Sequence, residues 1–145
     1  MAETSGAGRK RTAAVITIVA GVVFIVAGVL TYITVSNTLA DQKITVAEDA
    51  DRFAGQLVDQ PWEAYAQADV IAKHASEIAG GKTYAELPRD DPNRNTVMTA
   101  SFLQASLFTS VVAFGVAVMA VGLGIVLIVV GWGLLPARMV VDEQY

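Results

Sequence analysis

Hydrophobic positions in this chain are gathered into two unbroken runs. Residues Ala13 to Val35 and Val111 to Leu135 contain no Asp, Glu, Lys, Arg or His, and each run exceeds the about 20 residues that cross the hydrocarbon core of a bilayer. The pattern predicts an all-α membrane protein with two transmembrane helices and a small helical extracytoplasmic domain. Its parts are a basic cytoplasmic tail over residues 1 to 12, a first span over 13 to 35 and an outside segment over 36 to 110. A second span over 111 to 135 and a cytoplasmic tail over 136 to 145 complete it.

Between the runs the periodicity changes. Ala64, Ala68, Ile71, Ala75 and Ile78 recur at steps of four, three, four and three, the stripe of an amphipathic helix with a narrow apolar face. Asp69, Lys73 and Glu77 form an exposed series on another face. Asp59 as cap, Pro61 in the first turn and Gly80-Gly81 as a stop would bound this helix. Upstream, Ile44-Thr45-Val46 reads as a β-prone stretch or, equally, as the opening of a helix through Ala47 to Leu57. Downstream of the turn-rich Leu87 to Asn93, Asn95 or Thr96 can cap a helix with no Pro or Gly until Gly115. The second span is therefore expected to continue a single helix from Thr96 to Leu135, roughly 60 Å long at 1.5 Å per residue. Its upper third would stand outside the membrane, with the Asp59 to Ala79 helix packed on it.

Small residues recur inside both spans. Ala13, Ala20 and Ala27 form one column at a spacing of seven, with Ala14, Gly21 and Gly28 beside it, and the second run carries Ala113, Ala117, Ala120, Gly124 and Gly131. Lipid tails are as apolar as leucine, so helices associate in a bilayer through close backbone approach, which small side chains permit. The two stripes fit a hairpin within one chain; the glycines beyond that need, such as Gly115, Gly122 and Gly133, fit further contacts in a complex.

Charge sets the orientation. Arg9, Lys10 and Arg11 abut the first run and the next basic residue is Lys43, so the positive-inside tendency puts the N-terminus in the cytoplasm. Two crossings of the plasma membrane return the C-terminus to the same side, where Arg138 follows Trp132 and Pro136; Tyr32 is a candidate anchor at the outer end of the first helix. A cleavable signal peptide ending near Thr38-Leu39-Ala40 is the alternative. The first run has 23 residues, longer than the about 7 to 15 of a signal core, which favours an uncleaved anchor.

Composition narrows the chemistry. The chain has 145 residues, 54% of them hydrophobic, and once the spans are set aside the rest builds only a modest core. From Ser36 to Ser110 there are six basic residues against eleven acidic ones, which argues against a nucleic-acid partner. Cysteine is absent, His74 is the only histidine, and no metalloprotease, nucleophile-elbow, Walker A or dinucleotide signature is present. Asp90-Asp91-Pro92-Asn93 lacks the alternating acids and central glycine of a calcium loop, so a turn is the better reading. No catalytic residue, metal ligand or cofactor is expected. Neither span holds an ionisable group, which removes most support for a channel or pump. Trp62 and Tyr65, beside Pro61, are the conspicuous aromatics outside the spans and the first candidates for partner contact.

The stretch Ile44 to Ala50, with Phe53-Ala54-Gly55, Pro61, the run Ala64 to Ile71 and His74, resembles a family of small two-span membrane proteins of actinobacteria. Such proteins are often filed as the small subunit of an aromatic ring-opening dioxygenase. That chemistry needs a non-haem iron site, typically two His and a carboxylate, so with one His the label would require another subunit to carry the iron. The expectation is a non-catalytic accessory or scaffold subunit of a membrane or cell-envelope complex. Its partners would be the lipid bilayer and a membrane protein or further copies of itself. A non-catalytic oxygenase subunit and an outside domain that binds lipid or cell-wall material are the alternatives.

Overall fold

The structure, a computed structural model, describes residues 3 to 135, with side chains from Gly8 onward. Three α-helices and one 3-10 turn make up its regular structure: α1 (Glu3–Asp41), α2 (Pro61–Ile78), the turn Tyr84–Glu86, and α3 (Arg94–Gly133). Both α1 and α3 are long and apolar enough to cross a membrane. The expected long helix from Thr96 to Leu135 is observed as α3, beginning two residues earlier. Asp91 Oδ1 accepts the Asn93 N–H at 2.8 Å and shapes the turn before it. Helix α1 begins at Glu3, so residues assigned to a basic tail are its first turns. Arg138 and the tail from 136 onward lie outside the described residues.

The chain divides into two compact units. In the first, Met1–Leu30 with Ala117–Tyr145, α1 and α3 run antiparallel along a seam of small residues. The column Ala14, Gly21 and Gly28 faces Gly131, Gly124 and Ala117 in that order. A Cβ on Gly21 would lie 2.6 Å from the Gly124 carbonyl oxygen, and one on Gly124 would lie 2.5 Å from that of Gly21. On Gly28 it would lie 2.6 Å from the Ala117 oxygen. The seam therefore exists because these positions have no side chain to hold the backbones apart. Of the two columns on α1 only this one is buried; Ala13 and Ala27 are exposed and Ala20 is half-buried. On α3, Ala117, Gly124 and Gly131 are buried while Ala113 and Ala120 are half-buried. Gly115, Gly122 and Gly133 have open space where a Cβ would stand. Large apolar side chains cover the outward faces, with Ile16 63% and Met119 66% exposed.

The second unit, Thr31–Val116, has a core of Leu39, Val46, Val58, Ala64, Ala68, Leu107 and Phe114. Ala64 and Ala68 are fully buried, so the narrow face of α2 does pack closely. The stripe fails at its end: Ile78 is 45% exposed, and Ala79 instead joins Leu87 and Val97 in a smaller cluster. Gln60, not Asp59, occupies the cap position of α2. Glu63 turns back so that its Oε2 accepts the Gln60 N–H at 2.8 Å, satisfying a donor that helix geometry leaves without a partner. Tyr32 is not an exposed interfacial anchor. Its hydroxyl donates to Gln60 Oε1 at 2.6 Å and its ring meets Phe114 edge-on, with centroids 4.7 Å apart.

Residues 44 to 58 form a β-like loop, which decides between the two readings of Ile44 to Leu57. Val46 N–H donates to Gln56 O, Gly55 N–H to Val46 O and Val58 N–H to Ile44 O, all within 2.9 Å, around a single antiparallel bridge between Thr45 and Leu57. Burial of Val46 and Val58 favours this closure over a helix, because alternate residues of an extended chain share one face. The loop turns through Phe53 at φ 62° and Gly55 at φ 71°.

Candidate functional site

The two aromatic residues singled out in the sequence come together at a cleft of about 450 Å³ between the 44 to 58 loop and α2. Trp62, Tyr65, Asp69 and Lys73 reach it from α2, and Asp49, Asp51, Arg52 and Phe53 from the loop. The spacing of 62, 65, 69 and 73 puts these positions along one helix face, beside the buried row of Ala64 and Ala68.

Each aromatic is held in place although about half exposed. The Trp62 indole N–H donates to Glu63 Oε1 at 2.8 Å. Glu63 is buried, and its other oxygen accepts the Gln60 N–H, so one carboxylate ties the indole to the start of the helix. The Tyr65 ring stands edge-on to Phe108 of α3 with centroids 5.6 Å apart. Phe53, in a left-handed backbone conformation that costs a non-glycine residue about 1 kcal/mol or more, packs on the core while lining the cleft. That contact explains why a phenylalanine occupies a glycine-like position.

His74 lies on α2 one turn from the cleft, as its sequence position implies, and its partner comes from the loop. Nε2 of His74 is 2.6 Å from Asp49 Oδ2. The hydrogen bond from His74 holds the Asp49 carboxyl below its ordinary value of 3.8. Asp51 and Asp69 have no such partner among the described residues. The cleft thus offers three aromatic surfaces and two uncommitted carboxylates, with Arg52 and Lys73 at its edge. An organic cation or a basic side chain suits this mixture, through ring faces and carboxylates together. Among the described residues no group of three His, Cys, Asp or Glu side chains is placed to hold a metal ion.

Asp49 and Phe53 were missed in the sequence reading, because they enter the site only through closure of the 44 to 58 loop. A second cleft, of about 620 Å³, lies between the outer part of α1, α2 and α3; no sequence motif marks it. No family model matches the chain, and no curated protein or solved structure matches it either.

Proposed function

We propose that this is a two-pass plasma-membrane protein with both termini in the cytoplasm. It acts by binding, as a non-catalytic accessory or scaffold subunit of a membrane or cell-envelope complex. Trp62 and Tyr65 form its contact with a basic segment of the partner. The carrying observation is the pair of exposed, individually fixed aromatic side chains beside Asp51 and Asp69. Aromatics ordered before association lose little freedom on binding and often dominate interface energy.

The membrane assignment is supported by the exposure of the apolar helices. Only 17% of the most apolar window of each is buried, which suits lipid as the missing neighbour and not the interior of a soluble domain. Retention of α1 is supported by the seam, since cleavage after Ala40 would leave Gly124 and Gly131 without the helix they pack against.

The test is a pull-down of the intact protein in mild detergent, quantified against the same protein carrying Trp62→Ala with Tyr65→Ala, or Asp69→Asn. Loss of an aromatic anchor worth about 2 kcal/mol lowers affinity roughly thirtyfold. Loss of the carboxylate should reduce the dependence of capture on salt. A stoichiometric membrane partner captured equally by all forms would show that contact lies elsewhere.

A further inference from the structure

The larger cleft differs in chemistry from the aromatic one. None of its lining residues is charged, although the segment from Ser36 to Ser110 is rich in acidic and basic residues. Its walls are Leu39, Ile44, Ile71, Leu103 and Leu107, and Gln42, Gln67 and Ser106 are set among them. The Gln67 carboxamide oxygen accepts the Ala47 N–H at 2.8 Å, which fixes the side chain and leaves its Nε2 without a partner among the described residues. Neither the Gln42 amide nor the Ser106 hydroxyl has a side-chain hydrogen bond among the described residues. Among the described residues no polar side-chain atom is both buried and unpartnered, and Gln42 and Ser106 are exposed, so these donors are open to an occupant.

Position along the chain supplies the second argument. Thr34, Val35 and Ala113 belong to the outermost turns of the apolar runs, while Gln42 and Leu103 lie beyond them. Along either helix the lining extends for about 12 to 15 Å at 1.5 Å per residue, so the cleft opens at the outer end of the spans and continues outward from them. The volume falls within the roughly 300 to 1,000 Å³ of small-molecule sites.

We propose that this cleft binds an uncharged glycerolipid from the outer leaflet, with an acyl chain against Leu39, Ile71, Leu103 and Leu107 and its ester or hydroxyl oxygens meeting Gln42, Gln67 and Ser106. A cleft that mixes apolar walls with neutral amide and hydroxyl groups and carries no charge matches an ester-linked chain. The absence of Lys and Arg from the lining disfavours a phosphate headgroup, which would enter without a counter-charge. The proposal rests on the membrane reading given above and does not depend on Trp62 or Tyr65.

The full-length protein would be reconstituted in phosphatidylcholine vesicles containing a diacylglycerol with a photoactivatable acyl chain, and its adducts mapped by mass spectrometry. Adducts are expected on Ile71 and on Leu103 to Leu107, competed by unlabelled diacylglycerol and much less by phosphatidic acid of the same chains. Filling the space with Ser106→Trp or Leu103→Trp, both at exposed positions that tolerate bulk, should lower these adducts about tenfold. Adducts on the exposed Val118 and Met119 should persist in every form and report insertion. If Val118 and Met119 are labelled but the cleft is not, the lipid site is wrong and an apolar partner segment becomes its occupant. Competition by phosphatidic acid as strong as by diacylglycerol, or indifference to both tryptophans, would also overturn it. Absence of adducts on Val118 and Met119 as well would overturn the membrane reading itself.

Discussion

The hydrogen bond between His74 Nε2 and Asp49 Oδ2, 2.6 Å long, ties the 44 to 58 loop to α2. The hydrogen bond from His74 lowers the Asp49 pKa below 3.8. A carboxylate depressed in the folded state contributes stability fully present above its unfolded value and lost as pH falls through the folded one. The pH window of this contribution therefore lies below 3.8. Carbon NMR of the folded protein should show Asp49 titrating below that value, and His74→Ala should return it upward; an ordinary midpoint in both forms would mean the pair does not persist in solution. Arg94 makes a second small joint. Its guanidinium lies 4.1 Å from the centre of the Tyr84 ring, and Nη1 donates to the carbonyls of Tyr84 and Leu87. Lysine keeps the charge but not the planar fork, so Arg94→Lys should cost about 1 to 2 kcal/mol. Faster hydrogen exchange between residues 82 and 93 should accompany that loss. Trp62 and Tyr65 stood out in the sequence because they cluster beside Pro61. The partner of His74 did not, since it lies 25 positions away across a loop.

Among the elements, the seam between α1 and α3 separates glycines that look alike in the sequence. Alanine at Gly21, Gly28 or Gly124 would drive a Cβ into backbone, and each change should destabilise the hairpin by about 1 to 3 kcal/mol. Alanine at Gly115 or Gly122 meets nothing within 4 Å, and its higher helix propensity should leave stability unchanged or raised by up to about 1 kcal/mol. Reversible unfolding in detergent micelles measures both; equal effects at the two sets would refute the packing. Both small-residue columns of α1 were visible beforehand as repeats of seven. Which one meets α3 was not, because the choice depends on where the chain folds back. The long helix α3 was legible from its uninterrupted pattern, whereas of the 44 to 58 loop only the β-prone Ile44 to Val46 was, as one of two readings. Its apolar alternation is short, and its turn passes through a phenylalanine with positive φ, a conformation for which sequence gives no cue.

At the scale of the molecule, the absence of cysteine makes topology directly measurable. Single cysteines placed at Gly8 and Lys82, both exposed, should respond differently to a membrane-impermeant thiol reagent applied to intact cells. Labelling at position 82 and protection at position 8 are expected, while the reverse pattern would invert the proposed orientation. The seam has a further consequence for how α1 and α3 find each other. A row of small residues repeating every seven positions is degenerate: a slip of one tooth would set Gly21 against Ala117 and Ala14 against Gly124, with almost the same fit. Which meshing the seam adopts is therefore measurable in its own right. Cysteines placed at facing positions of this row should cross-link in one pattern, Ala14 with Gly131 and Gly21 with Gly124, and a second pattern offset by seven residues would show that the slipped meshing is populated.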